Sequence, residues 1–520
     1  MSPHHKAFIA AFAISAIALF FFRRPFSDML GAKRYYNWAL TWLAITSFAF
    51  ILTNFWLFAA ACAAFIFVFS RSEPVKPALY VLLLAATPPE AYYIPGVAGI
   101  NKLIAVSPQL VVAFVVLIPS LVSGAQMKKI ARTANTTDVL VLLWLILQVA
   151  LSIRAPTVTH MLRLGLEELL ALAPLFYVLS RYPKRLEDLR VISAALVLAV
   201  LVLSAISMFE FLRSWRLYNS IPNNWGSTAP LWYTFREGYL RAAVTAQNPI
   251  AWGVIAMTGF GVAFATLNDG VSRFYRYAGF ALLGAGVIVS MSRGPWVGAA
   301  VIVMMMVLVG PKMITRSIQL SAAGGAALLA AMATPFGNRI LGLLPFIGDS
   351  ASNTIDYRQQ LIEVSWQVIL EKPFFGSVNF LDHPKMQVMR QGEGIIDIVN
   401  TYLQVLLGSG FVGLFLFVGI LLSTLFAVYK AMKSARRYNP KLALYCQAYF
   451  ATIVGMMLTI FTTSSVAPIP LFFWSLIALG VALTRIEAVE RRKAQAPAAE
   501  TQDDPLLAPE AAPATRFAWK

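Results

Sequence analysis

Apolar stretches of 15 to 20 residues recur along most of this chain, separated by short breaks rich in Lys, Arg, Pro or Gly. Crossing a bilayer as a helix takes about 20 residues. The stretches run solidly apolar instead of alternating, which excludes the strands of a β-barrel. Of the 520 residues, 59% are apolar and 13% charged, against about a quarter charged in a soluble domain. The fold class expected is therefore all-α, a polytopic transmembrane helical bundle of about 12–15 spans.

The spans are expected near 7–22, 37–52, 55–70, 77–92, 109–124, 138–153, 161–180, 190–208, 248–267, 277–292, 295–311, 317–335, 402–429, 443–462 and 467–484. Pro88 and Pro89 interrupt the fourth. The first, Ala7 to Phe22, is followed by Arg23 and Arg24 with no small-residue cleavage site. That is the wrong charge order for a cleaved signal, so a retained span is expected.

Alternate breaks are basic: Arg23, Arg24, Lys33 and Arg34; Arg71 and Lys76; Lys128, Lys129 and Arg132; Arg181, Lys184, Arg185 and Arg190. The series continues through Arg273 and Arg276, Lys312 and Arg316, then Lys430 to Lys441, then Arg491 to Lys493. The positive-inside rule assigns these to the cytoplasm. The net charge of +18 is thereby explained without nucleic acid. Cys62 and Cys446 sit inside apolar runs, and the four histidines are scattered, so neither a disulfide framework nor a metal centre is expected.

The complementary breaks, including 209–247, the turn near 291–295 and 336–401, then face outward. Loops as long as 209–247 and 336–401 carry structure or function of their own. In the second, Tyr357 to Leu370 reads as an amphipathic helix with Leu361, Val364, Val368 and Ile369 on one face, ended by Lys372 and Pro373. No internal repeat is visible, which weakens the case for an inverted-repeat transporter. The tail after Glu487 is rich in Ala, Pro and acids and is expected to be a disordered cytoplasmic tether.

This outer face carries Arg213, Arg216, Arg236, Arg241, Arg293, Arg339 and Arg358. Arginines at an interface can simply snorkel to lipid headgroups. Three have more specific settings. Arg241 precedes Asn248-Pro249 at the start of a span. Arg293 lies in Met291-Ser292-Arg293-Gly294-Pro295-Trp296 between two spans that are otherwise without charge. Arg358 opens the amphipathic helix. Converging guanidinium groups at headgroup depth suit the phosphate oxygens of a lipid diphosphate. Gly294 would let a backbone N–H approach such an anion.

Taken in order, these segments resemble the O-antigen ligase/polymerase superfamily of membrane glycosyltransferases, closest to exopolysaccharide repeat-unit polymerases. The run Val287 to Gly298 resembles its Ser-Arg-Gly signature, and Arg241 through Asn248-Pro249 its arginine followed by an Asn-Pro pair. Arg358 with Pro373-Phe-Phe-Gly376 resembles its large external loop. Asn400-Thr-Tyr402-Leu-Gln404, with Gly410 and Gly413, resembles the segment that re-enters the membrane. The resemblance covers about 190–425 and implies a glycosyltransferase C-like core at 190–430. N-terminal helices at 1–189, C-terminal helices at 431–486 and the tail at 487–520 would flank it. Tyr93 to Gly96 and Ile100-Asn101 also resemble the polymerases.

The resemblance implies an undecaprenyl-diphosphate-linked glycan donor, membrane lipids as surroundings, and a bacterial inner membrane with the site facing the periplasm. A flippase and a chain-length regulator are the partners it suggests. It implies Arg241 and Arg293 on the diphosphate, with Arg358, Arg236, Asn248, Asn400 and Tyr402 as substrate-binding residues. The ligase branch carries a His just before the re-entry Asn; here Val399 stands there, which favours a polymerase over a ligase.

Asp397 is the best carboxylate for the acceptor hydroxyl, although an Asp at a loop-to-helix boundary reads as well as a cap. Glu237 and Glu363 are alternatives. Arg163 and Glu167 either support the site or pair with each other. Trp225, Trp232, Tyr233 and Tyr239 could stack on sugars or anchor at the interface. His383 reads as an exposed loop histidine. No Asp-rich motif suggests a bound divalent metal, so chemistry without metal or cofactor is expected.

Overall fold

The helix Leu186–Arg213 is apolar on every side, and a helix of that kind is stable only when other helices surround it. In the computed structural model, which describes residues 2–96, 102–122, 135–227, 233–311, 313–315, 317–319, 322, 352–391 and 394–495, it is the central element. Of its most apolar 18-residue window, 89% is buried. It packs against Pro3–Phe21, Lys76–Leu83, Pro249–Thr266 and Arg273–Val289.

We number the main helices α1 (Pro3–Phe21), α2 (Arg23–Leu30), α3 (Ala32–Ile51), α4 (Phe55–Ser70), α5 (Lys76–Leu83), α6 (Pro108–Val116), α7 (Ile118–Val122), α8 (Thr136–Leu151), α9 (Val158–Arg181) and α10 (Leu186–Arg213). The series continues with α11 (Pro249–Thr266), α12 (Arg273–Val289), α13 (Arg293–Leu308), α14 (Ser352–Glu371), α15 (Thr401–Ala435), α16 (Pro440–Ile460) and α17 (Ile469–Gln495). Among the described residues, seven helical segments are long and apolar enough to cross a membrane. The fold is an all-α polytopic bundle. Peripheral helices turn apolar side chains outward, such as Ile17 and Phe20 on α1, Leu142 and Ile146 on α8, and Phe415 and Phe426 on α15. In a bilayer those surfaces meet lipid.

The expected spans correspond to helices with shifted ends, and three depart from expectation, of which 109–124 is divided into α6 and α7. The span 77–92 is helical only over α5. The chain then runs irregularly through buried residues, where Gln109 Nε2 donates to the Thr87 carbonyl (3.0 Å) and Thr245 Oγ1 to that of Ala85 (2.6 Å). The helix stops at Leu83, before Pro88 and Pro89 are reached, and non-helical backbone at this depth is tolerated because protein groups satisfy it. The span 317–335 lies almost wholly outside the described residues, as do Lys128, Lys129, Arg132, Trp232, Lys312, Arg316 and Arg339. The tail expected from 487 starts later, since α17 continues to Gln495; residues 496–520 lie outside the described part.

Helix ends gather on two faces. On the basic face, carboxylates tie several helices together. Asp138 holds Arg181 (3.2 Å) and Arg485, Asp269 holds Arg190 and Lys441 (3.2 Å), and Glu73 holds Arg34 (3.1 Å). The opposite face, called here the site face, carries residues 214–227, 233–248, 289–293, 373–391, 394–411 and 462–465. There His4 Nε2 meets the Phe50 carbonyl (2.7 Å) and His4 Nδ1 meets Ser220 Oγ (2.8 Å). Two antiparallel hairpins lie on this face, Tyr92–Pro95 with Lys102–Val106 and Phe235–Arg236 with Tyr239–Leu240. The second turns through Glu237 and Gly238, both at positive φ (51° and 80°), the conformation of a tight two-residue loop. A small second core joins α14 to α15 through Leu361, Val368 and Ile369 against Phe380, Met386 and Leu406. The expected amphipathic face of α14 is thus the face that packs.

Candidate active site

The two-residue hairpin places Arg236 at its start, and the strand leaving it leads to Arg241. Arg241 donates its backbone N–H to the Thr234 carbonyl (3.0 Å) and its Nη2 to Ser292 Oγ (2.9 Å). Arg216 lies behind it, 4% exposed, with Nη2 donating to Thr234 Oγ1 (3.0 Å) and to the Arg241 carbonyl (3.3 Å). Arg236 Nη1 donates to the Met291 carbonyl (2.7 Å), which ties the hairpin to the turn that opens α13.

That turn is strained. Met291 takes φ 49°, and Val244 (44°), Gln247 (58°) and Glu237 (51°) are also in the left-handed region. A β-branched valine there is a genuine outlier, and such strain persists only where surroundings over-determine it. For Val244 the surrounding group is Glu210, near the end of α10 and 0% exposed. Its Oε2 accepts from the backbone N–H of Val244 (2.9 Å) and Ala243 (3.1 Å), and its Oε1 from that of Leu217 (2.9 Å). One buried carboxylate therefore fixes the segments on which Arg216 and Arg241 sit.

Arg293 is the first residue of α13, half-buried. The lack of a side chain at Gly294 is used for packing: a Cβ there would lie 2.6 Å from Thr462 Oγ1. The neighbouring glycine was expected to admit an anion to the backbone, but the turn 462–463 fills that space. The same turn receives Arg358 from α14, whose Nη2 donates to the Thr462 carbonyl (3.1 Å). It also receives Thr401, whose Oγ1 donates to the Thr463 carbonyl (3.0 Å).

The arginines form an electrostatically continuous row. Burial, then the charges of Arg236 and Arg216, lowers the Arg241 pKa to about 10. Burial, then Arg293, lowers that of Arg236, with Glu237 opposing. Arg358 is lowered by burial, with Asp397 opposing and Arg293 reinforcing. Arg216, Arg241, Arg236, Arg293 and Arg358 are thus linked neighbour to neighbour, and Asp397 closes the row. Among the described residues, five guanidinium groups lie with three carboxyl groups, Glu210, Glu237 and Asp397, so the row keeps an excess of positive charge. Arg241 Nε and Arg358 Nε are buried and donate to no acceptor among the described residues. Bidentate capacity for phosphate oxygens remains at both.

Residues 278–418 match the family model described as O-antigen ligase. That segment, about a quarter of the chain, is thus similar to the O-antigen ligase/polymerase superfamily. No curated protein matches the chain. The O-antigen ligase match covers Arg293, Arg358, Asp397, Asn400 and Tyr402, while Arg236, Arg241 and Asn248 lie upstream of it. A glycosyltransferase-type enzyme acting on lipid-linked glycans within a membrane is what the O-antigen ligase family suggests.

Several residues expected at the site hold structure. Asn248 Oδ1 caps α11 by accepting from Ile250 (2.8 Å) and Ala251 N–H, and Asn400 Oδ1 caps α15 by accepting from Leu403 N–H (3.2 Å). Tyr402 OH donates to the Met457 carbonyl (3.0 Å) inside the bundle. Asp397 is half-buried, and its backbone carbonyl accepts from Tyr357 OH (3.1 Å).

Arg163 lies over the Tyr93 ring and Glu167 accepts from Ala105 N–H (3.0 Å), so both hold the first hairpin. Glu363 is exposed and bonded to Gln359. His383 pairs with Glu371 (3.0 Å) at the far end of α14. Trp225 stacks on Phe58 and is 4% exposed; Tyr233 and Tyr239 remain exposed beside the arginines. Val399 packs on the second core.

Sequence reading missed Glu210, because ending the span at 208 left it in the loop, and Thr462, whose backbone carbonyl carries no sequence signal. Arg216 was visible as an outer-face arginine but had no motif to single it out.

Proposed function

We propose that the chain polymerises lipid-linked polysaccharide repeat units, transferring the growing glycan from undecaprenyl diphosphate to a sugar hydroxyl of a new lipid-linked repeat. The single observation that supports this is the row of five arginines on one face of a bundle of membrane-crossing length. In the step, the bond from the sugar's anomeric carbon to the phosphate oxygen breaks, and its electron pair leaves on the lipid diphosphate. The acceptor oxygen forms the new bond, and its proton goes to Asp397 or to water. Charge grows on the diphosphate as the bond breaks, so Arg241 and Arg293 stabilise the transition state more than the ground state. Arg358 and Arg236 complete the cradle, and Asn248, Asn400 and Tyr402 hold the elements that present it.

The site face is the periplasmic side of a bacterial inner membrane in this reading, since the other face carries the basic loops. A flippase would supply the lipid-linked repeat, and a chain-length regulator would end elongation. A second reading, ligation of the glycan to a lipid or protein acceptor, draws support from the matched family's description. Val399, where the ligase branch carries histidine, favours polymerisation.

Arg293→Ala is expected to abolish elongation with the protein still inserted, read as glycan length in cells. Accumulation of single lipid-linked repeats, as in cells lacking the protein, supports the polymerase. Normal polymer length in the mutant would sink the assignment, and long polymer stranded on its carrier in the null strain would mean a ligase.

A further inference from the structure

A cavity of about 390 Å³ lies between α8, α9, α15 and α17 and takes no part in the arginine row. Its floor is aromatic: Trp144, Phe417, Phe473 and Trp474 pack ring to ring, with centroids 4.9 to 6.3 Å apart. Its walls mix polar side chains, Gln148, Arg154, Glu168, Gln404 and Ser465, with apolar ones such as Leu164, Val405 and Ile460. The mouth is braced. Arg154 donates to the carbonyls of Phe375 (2.9 Å), Gly376 (2.6 Å) and Gly408 (3.2 Å), and Gln148 Nε2 donates to Ser409 Oγ (3.1 Å). Gly410, at φ 66°, kinks α15 so that its backbone meets Phe374 there.

Glu168 is the informative group. It stands ten residues into α9, about 15 Å along the helix from its site-face end. Its carboxylate has no hydrogen-bond or ion-pair partner among the described residues, and the charge beside it is that of Glu167. An ionisable residue at such depth in a membrane bundle faces a cavity and marks a ligand path. A prenyl chain would gain nothing from a carboxylate, two amides and a guanidinium. A sugar ring uses both halves, its C–H face on the rings and its hydroxyls on the carboxylate and amides.

We propose that this cavity is the subsite for the acceptor glycan, with Glu168 its principal hydroxyl partner. The placement fits: the turn 460–465 walls the cavity through Ile460 and Ser465, and its Thr462 carbonyl holds Arg358. A sugar here would approach the diphosphate row at its Arg358 end. The inference rests on the function proposed above for that row.

The test uses the full chain in nanodiscs and equilibrium dialysis with two probes. One is the repeat oligosaccharide released by mild acid from the lipid-linked pool of cells lacking the protein; the other is inorganic diphosphate. Glu168→Ala is expected to weaken oligosaccharide binding about 10- to 100-fold, the worth of a charge-assisted hydrogen bond or two. Trp474→Ala should weaken it as well, while both variants bind diphosphate like the wild type, which also shows them folded. Arg293→Ala should do the reverse. Undiminished oligosaccharide binding in both cavity variants, or no binding by the wild type, overturns the inference. If farnesol binds the wild type, Trp474→Ala abolishes that binding and the oligosaccharide does not compete, the cavity holds lipid and the inference also fails. Diphosphate binding indifferent to Arg293 and Arg241 would instead overturn the diphosphate row, a separate failure.

Discussion

At Arg241, burial and two neighbouring cations bring the pKa down to about 10. A basic group with a depressed pKa loses its charge as pH rises through the lowered value, so this guanidinium is still cationic at pH 8. Repulsion along the row disfavours the protonated form, and a bound diphosphate relieves it. Lysine at the same position starts from about 10.4, and the same drop would leave it near 8. Arg241→Lys is therefore expected to elongate more slowly at every pH, having lost the bidentate fork, and to fall off further above about pH 8 where the wild type stays level. Initial rates in proteoliposomes between pH 6.5 and 9 decide it; a variant profile parallel to the wild type would mean that Arg241 carries no catalytically needed charge. Arg241, Arg293 and Arg358 could be singled out because each stood in a specific setting, before Asn248-Pro249, between two uncharged spans and at the opening of an amphipathic helix, on the face that should lack positive residues. Glu210 was not, since only folding brings α10 against Ala243 and Val244.

At the scale of elements, the site is a meeting of ends: the hairpin at 235–240, the start of α13, the start of α14 and the turn between α16 and α17. Sequence gave away most of the helices, because a bilayer-length apolar run leaves little choice. What it hid was how the ends interlock. Gly294 exists for Thr462: a methyl there would push the turn away, and with it the carbonyl that holds Arg358. Gly294→Ala is expected to lower elongation at least tenfold while membrane insertion persists. Thr462→Ala removes the clashing oxygen, and the nearest remaining atom is then Thr463 Cγ2 at 3.2 Å. The double variant should recover most of the lost rate, a non-additivity expected only of residues in contact. Additive losses in that cycle would place the effect of Gly294 elsewhere. The irregular stretch after α5 was half-legible: the prolines marked a break, but not that Gln109 and Thr245 would satisfy the freed carbonyls.

Across the whole molecule, two kinds of positive charge occupy opposite faces for different physical reasons. On the basic face Arg34, Arg181, Arg190, Lys441 and Arg485 are each ion-paired with Glu73, Asp138 or Asp269, two of which hold two cations each. On the site face Arg236, Arg241 and Arg358 donate to carbonyl and hydroxyl oxygens instead, and the arginines lie within reach of one another. The first arrangement satisfies the orientation rule and fastens helices, while the second leaves positive charge available to an anion at headgroup depth. The reading requires the site face to be external, because the positive-inside rule would put the basic loops in the cytoplasm. Cysteine accessibility tests it directly, since the native Cys62 and Cys446 are buried and should react slowly. Asn379 on the site face and Ser272 on the basic face are both exposed. In cells with a permeabilised outer membrane, Asn379→Cys is expected to react with an impermeant maleimide and Ser272→Cys only after lysis. The opposite pattern would put the arginine row in the cytoplasm and remove the basis for a periplasmic lipid-linked donor.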